Sequence, residues 1–112
     1  MKITKVENTV VKETPHKIDV RMIYDKDEAQ LVHMLLKPGE GLKPHITPVD
    51  VFMYVLEGEA TVTIGDETET VTENSVVESP KDIVHFIENK SDKDVRILVG
   101  KTPKPVQATK VL

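Results

Sequence analysis

Two histidines, His45 and His85, are the residues of this chain whose surroundings best suit chemistry. His45 lies in "GEGLKPHITPVD", just before an apolar run, and His85 lies inside the apolar run "IVHFIE". A neutral imidazole can ligate a transition metal such as Zn, Ni, Fe, Mn or Cu, and near neutral pH it can also exchange a proton. The chain has no cysteine, which excludes a thiolate metal site. The alternative is that both histidines are hydrogen-bonded structural residues.

Short apolar or alternating runs, separated by turn residues, must position these histidines. Helical periodicity is nearly absent, and the runs predict an all-β domain. The predicted strands are 17–24, 30–36, 51–56, 59–64, 68–71, 76–78, 83–88 and 95–100. Many short strands at regular spacing indicate a sandwich or barrel, and a jelly roll is one closure that protects the sheet edges. The chain has neither tryptophan nor a cysteine pair, which argues against an immunoglobulin-like sandwich.

Strand alternation also predicts which side chains share a face. In the run 17–24, one face carries Ile18, Val20, Met22 and Tyr24. The aromatic residues Tyr24, Phe52 and Tyr54 are interpreted as packing residues.

The two other histidines are given structural interpretations. In "QLVHMLL", we expect Val32 and Met34 to point inward and His33 to lie opposite Met34, as a hydrogen-bonded or interfacial residue. His16 lies in the polar segment "ETPHK" and is expected to be exposed.

Length and charge limit the remaining function classes. The 112 residues suit one domain, 1–112, with an N-terminal arm of about residues 1–16 and a proline-containing C-terminal tail of about residues 101–112. The net charge of −4 comes without a basic stripe, which disfavours nucleic acid as a partner. No apolar run is long enough for a signal peptide or a membrane span, so we expect a soluble, cytoplasmic protein.

The spacing of residues in two segments resembles the two motifs of small single-domain cupins, which fold as a double-stranded β-helix of the jelly-roll β-barrel class. The first segment has the frame Gly39-x5-His45-x-Thr47-x3-Val51-x6-Gly58. The second has the frame Asn74-x5-Pro80-x-Asp82-x2-His85-x3-Asn89. Asn74 and Asp82 replace motif glycines, and both residue types tolerate the left-handed backbone, so the turns are expected to survive.

The departures from the motif concern the metal ligands. Metal-binding cupins use two histidines and a glutamate from the first motif and one histidine from the second. By that resemblance His45 and His85 are retained, whereas Thr47 and Val51 replace the second histidine and the glutamate. Asp50 is one residue out of phase and should not substitute for a ligand at position 51. The resemblance therefore implies a degraded metal site, with no cofactor assigned; the alternative is a divalent transition metal held by His45 and His85.

Three functions remain open, and catalysis is left undecided. The first is a small-molecule-binding cupin, the second a metal-dependent enzyme of the dioxygenase or isomerase type using His45 and His85, and the third a structural dimer module. The predicted pocket combines polar and apolar side chains, as small-molecule pockets do. Its residues are Thr47, Val51, Met53, Leu42, Ile87 and Met34, beside the two histidines. A homodimer is expected from the resemblance, and because a chain of this length builds only a modest core.

Overall fold

The computed structural model describes residues 1–112 and contains ten strands and one short 3₁₀-helix, Val6–Asn8. The strands are β1 (Asp19–Lys26), β2 (Ala29–Leu36), β3 (His45–Ile46), β4 (Asp50–Glu57), β5 (Ala60–Ile64), β6 (Glu67–Val71), β7 (Val76–Ser79), β8 (Val84–Glu88), β9 (Val95–Thr102) and β10 (Lys110–Val111). They form two five-stranded antiparallel sheets, β1-β2-β9-β4-β7 (the first sheet) and β10-β3-β8-β5-β6 (the second sheet). The predicted all-β jelly roll is confirmed. The chain contains no helix of the length and hydropathy that a bilayer crossing would need.

Most predicted strands match the observed ones to within one or two residues at each end, and two differences affect the site. The two-residue strands β3 and β10 were not predicted, because a run of two residues has no alternation to detect; they pair with each other at the edge of the second sheet. Strand β9 continues two residues beyond Gly100, since Lys101 and Thr102 still pair with the start of β4. The predicted tail therefore begins inside a strand.

The core lies between the two sheets and consists of the inward side of each strand. Alternation places Val51, Met53 and Val55 of β4 inward, and β9 does the same with Val95, Ile97 and Val99. The remaining buried apolar residues are Ile18, Val20, Val32, Leu36, Leu42, Ala60, Val62 and Ile87. Burial of these aliphatic side chains is the main stabilising contribution.

The prediction for Tyr24 was wrong. A bulge between Met22 and Tyr24 shifts the register of β1 against β2, so Tyr24 leaves the inward face and is 50% exposed. One extra residue in a strand reverses the side on which the following side chains lie. Phe52 does pack, since its ring lies over the α-carbon of its cross-strand neighbour Gly100.

His33 follows its predicted phase, on the side of β2 opposite to Met34. It is buried, and Arg96 Nε donates a hydrogen bond to His33 Nε2 over 3.1 Å. The Nδ1 atom of the same ring has no hydrogen-bond partner. Only one of its two ring nitrogens is therefore satisfied within this chain.

The prediction for the two substituted motif glycines is confirmed. Asn74 and Asp82 both have a φ of 64°, in the left-handed region. Their backbone N–H groups donate to the carbonyl oxygens of Val55 and Thr47, which attaches the turns before β7 and β8 to β4 and to the segment between β3 and β4.

Gly39 and Gly58 form a matched pair for testing how the first motif specifies its turns. Their φ values are 85° and 82°, where a non-glycine residue costs roughly 1–2 kcal/mol. A Cβ on Gly39 would meet nothing within 4 Å, whereas one on Gly58 would lie 2.5 Å from the carbonyl oxygen of Asp94. We expect Gly39→Ala to lower the free energy of unfolding by about 1 kcal/mol and Gly58→Ala by about 2–3 kcal/mol, in urea denaturation. Equal losses would show that the Asp94 contact is unimportant.

Both termini fold back onto the barrel. Arg21 Nη1 donates to the carbonyl oxygens of Val6 and Thr9, which ties the N-terminal arm to β1. At the other end, the backbone N–H of Leu112 donates to the carbonyl of Pro44, just before β3. Residues 12–16 of the N-terminal arm and Thr109 and Val111 of the C-terminal tail line the same end of the interior.

Candidate functional site

A cavity of about 260 Å³ opens between the two sheets at the end covered by the termini. Its volume is near the lower limit of small-molecule pockets, roughly 300 Å³. All the residues singled out from the sequence line it, namely His45, His85, Thr47, Val51, Met53, Leu42, Ile87 and Met34. Further apolar lining comes from Val20, Met22, Val32 and Val99, so most of the wall is aliphatic.

Three imidazoles form one cluster at the polar side of this cavity. His45 on β3 and His85 on β8 are cross-strand partners, with ring centroids 4.5 Å apart. The ring of His16 lies 5.0 Å from that of His45. The expectation that His16 is exposed was wrong, because the backbone N–H of Lys43 donates to its Nδ1 over 2.9 Å and holds the half-buried ring against the cavity.

The hydrogen bond of His45 fixes its neutral tautomer. His45 Nδ1 lies 2.7 Å from the carbonyl oxygen of Lys43, and a carbonyl only accepts, so Nδ1 carries the proton. In the neutral ring, Nε2 is then an acceptor with a free lone pair. His45 is thus the imidazole in the cluster that can take a proton from a bound molecule.

His85 is held between two hydroxyl groups. Its Nδ1 lies 2.6 Å from Ser79 Oγ and its Nε2 lies 3.1 Å from Thr47 Oγ1. When Nδ1 is the acceptor, Ser79 donates to it and Nε2–H donates to Thr47; in the other neutral tautomer both directions are reversed. In either tautomer both ring nitrogens are engaged, and Thr47, Ser79 and His85 are all buried.

Lys101 brings a half-buried charged group to this cavity, at which the side chains of Lys12 and Glu13 are exposed. It lies on β9, its Cα is the cross-strand partner of that of Val51, and it lines the cavity. Burial lowers the pKa of Lys101, and the charge of Lys12 lowers it further. None of the ion pairs in the structure involves Lys101, and the one carboxylate residue at the cavity, Glu13, has an exposed side chain.

Burial also keeps the imidazoles neutral. It lowers the pKa of His16 and of His85 to about 4 in each case, and the neighbouring charge of His45 adds to both effects. Burial is the main cause that lowers the pKa of His45 as well, although its hydrogen bond to Lys43 acts in the opposite direction. At neutral pH the cavity therefore presents neutral imidazoles.

The polar residues of the cavity region that were not predicted from the sequence include Lys101, Ser79 and His16, and for Lys101 and Ser79 a signal was present. Val95, Ile97 and Val99 alternate inward, and the same phase continues to Lys101. In β7, the phase of Val77 likewise continues to Ser79. The position of His16 depends on a contact with Lys43, 27 residues away, and no local pattern indicates it.

The donor set does not fit the metal that the cupin motif implies. Both nitrogens of His85 are engaged, Val51 has no lone pair, and the lysine opposite Val51 adds positive charge where the motif has a carboxylate. Asp50 is exposed and accepts a hydrogen bond from the backbone N–H of Lys81, as its strand phase predicts. No group of three or more histidine, cysteine, aspartate or glutamate side chains is arranged to hold a metal ion.

Known proteins share this fold over most of the chain. The uncharacterized protein MJ0764 from Methanocaldococcus jannaschii is 26% identical over 87 residues, which are 77% of this chain and 75% of that protein. The crystal structure of TT1209 from Thermus thermophilus superposes with a TM-score of 0.80 at 24% identity, covering 94% of this chain and 100% of that one. The polyketide cyclase RemF from Streptomyces resistomycificus superposes with a TM-score of 0.85 at 20% identity, covering 100% of this chain and 85% of that one. The cupin domain family matches residues 32–100, more than half of the chain and both motifs, and the chain therefore belongs to the cupin family.

Proposed function

We propose that this cupin binds a small organic molecule without a resident metal. The ligand would have an aliphatic body and one oxygen-bearing head, and the head would lie against Lys101. The observation that carries this proposal is a lysine that lines a largely aliphatic cavity and has no carboxylate partner.

The energetics of Lys101 favour such a ligand. A cation that is partly removed from water loses solvation, and no ion pair within the chain compensates for it. A carboxylate or carbonyl oxygen in the cavity would supply the missing acceptor. A hydrogen bond to a charged group contributes about 1.5–3 kcal/mol. A lysine that is fully exposed to water would gain little free energy from the same contact, because water already solvates it.

The remaining polar groups suit the same head group. His45 Nε2 offers a lone pair, and the hydroxyl proton of Thr47 is free when His85 donates to its oxygen. The wall formed by the first sheet, which also carries Lys101, is largely apolar, with Val32, Met34 and Val99 among its residues. A short chain with a polar end would satisfy both sides of the cavity.

Titration of metal-stripped protein with straight-chain carboxylates, from butanoate to octanoate, tests this proposal. These probes combine an aliphatic chain with an oxyanion and nothing else. We expect saturable one-to-one binding by calorimetry, weakened about tenfold or more by Lys101→Met, which keeps the length of the side chain and removes its charge.

Lys104→Met is the matched control. Lys104 lies three positions further along the chain and forms an ion pair with Asp25 over 3.3 Å, outside the cavity. This variant should bind the carboxylates like the wild type. Binding that requires added Zn, Ni, Mn or Fe, or binding that is unaffected by Lys101→Met, would contradict the proposal.

A further inference from the structure

We propose that Lys101 forms a reversible imine with a carbonyl-bearing ligand of this cavity, such as a short aliphatic 2-oxo acid. The inference rests on the proposed function, because it names the ligand class and gives Lys101 a covalent role in the same pocket.

The position of Lys101 suits attack on a bound carbonyl. It follows Val99 in the inward phase of β9, and its cross-strand partners are Val51 on β4 and Gln30 on β2. The strand pairing on both sides fixes the backbone, so the side chain extends from a rigid base into the cavity. A lysine on a flexible surface loop would not be oriented in this way.

The surroundings of Lys101 increase the fraction of neutral amine, which is the nucleophilic form. Burial and the charge of Lys12 both lower its pKa. Desolvation of this kind, together with a nearby cation, is a recognised way to activate a lysine nucleophile. No ion pair within the chain stabilises the charged form of this amine.

Imine formation here needs no oxidant or further reactant. The nitrogen lone pair of Lys101 attacks the carbonyl carbon, a C–N bond forms, and the π electrons move to the oxygen. A proton passes from nitrogen to that oxygen to give the carbinolamine, which loses water to leave the C=N bond. His45 is the group suited to relay this proton, because its Nε2 lone pair is free, whereas both nitrogens of His85 are occupied.

The cavity also selects the ligand. A volume of about 260 Å³ suits a short carbon chain, and the chain would lie against the aliphatic wall. A 2-oxo acid adds a carboxylate beside the carbonyl, and Lys12 at the same cavity offers a second positive charge for it.

Reductive trapping tests the imine. Metal-stripped protein is incubated with 2-oxohexanoate, sodium borohydride converts any imine into a stable secondary amine, and peptide mapping locates the added mass. We expect a saturable adduct on Lys101, at least tenfold above that on Lys104, and reduced by hexanoate as a competitor. Lys101→Arg keeps a cation but cannot form an imine, so it should bind hexanoate and give no adduct.

The outcomes separate the two proposals. An adduct spread evenly over surface lysines, or one that persists at the same level in Lys101→Arg, overturns the imine. If hexanoate binds to the wild type in a Lys101-dependent way but no adduct forms, the imine is overturned while the binding function stands. If neither hexanoate nor 2-oxohexanoate binds, both proposals fail.

Discussion

Replacement of Asn89 by alanine is expected to lower the free energy of unfolding by about 4 kcal/mol. The amide of Asn89 is buried, with only 1% of the residue exposed. Its Nδ2 donates to the carbonyl oxygens of Leu36, 2.9 Å away, and Lys93, 2.7 Å away. Its Oδ1 accepts from the backbone N–H and the hydroxyl of Ser91, at 3.0 and 2.7 Å. Alanine would leave these groups without their partner, and each unsatisfied buried group costs about 1–3 kcal/mol.

Two further variants show whether the loss of these hydrogen bonds is what destabilises Asn89→Ala. Asn89→Asp has the same shape and keeps the acceptor for Ser91, but it turns an oxygen toward the carbonyls of Leu36 and Lys93. Its free energy of unfolding should therefore fall by at least as much as that of Asn89→Ala. Ser91→Ala removes one hydroxyl from a half-buried position and should cost about 1 kcal/mol. Urea denaturation at neutral pH measures all three variants. If Asn89→Ala were no more destabilising than Ser91→Ala, the anchoring role of the amide would be wrong.

The fold could be predicted from the sequence because two independent signals agree. Period-two alternation, as in Val51, Met53 and Val55, identifies strands and their inward faces. The motif spacing from Gly39 to Gly58 and from Asn74 to Asn89 identifies the way in which the strands are connected. Alternation fails only where pairing departs from regularity, and the bulge before Tyr24 is such a place.

The cavity could be predicted only in part. The spacing of the two motifs identified His45, Thr47 and His85, and all three line the cavity. Lys101 was not predicted, because the predicted strand ended at Gly100. The inward alternation of Val95, Ile97 and Val99 nevertheless continues to Lys101. His16 reaches the cavity by a contact across the fold with Lys43, and long-range contacts of this kind are not encoded in a local pattern.

These missed residues change the interpretation of the cavity. Judged by His45 and His85 alone, it is a metal site that has lost two ligands. With Lys101 included, it is a cavity with a cation opposite Val51, the position at which the motif has a carboxylate, and the hydroxyl of Thr47 serves as a hydrogen-bond partner of His85. The two substitutions remove metal ligands, and Lys101 adds the positive charge on which the proposed binding of an oxygen-bearing ligand depends.

Acidification is expected to destabilise this protein through His85, with the free energy of unfolding falling by about 2–3 kcal/mol between about pH 7 and about pH 4.5. Burial, together with the nearby charges of His45 and Lys101, lowers the pKa of His85 from 6.5 to about 4 in the folded chain. Between these values the unfolded chain binds a proton that the folded chain does not, so stability is complete above pH 6.5 and decreases as the pH falls toward 4. His16, whose pKa is also lowered to about 4, acts in the same direction, but its half-exposed ring is better screened by water and contributes less.

Urea denaturation across this pH range, with two substitutions around the same ring, separates titration from simple loss of packing. His85→Asn removes the titrating group, so the difference in unfolding free energy between neutral and acid pH should shrink by most of the His85 contribution. Ser79→Ala removes the 2.6 Å hydrogen bond to His85 but keeps the imidazole, so it should destabilise the protein at neutral pH and retain a pH dependence. The difference between neutral and acid pH within each variant is the quantity to compare, because it cancels the packing cost of the substitution. A His85→Asn variant with the same pH dependence as the wild type would show that protonation of His85 does not limit stability in acid.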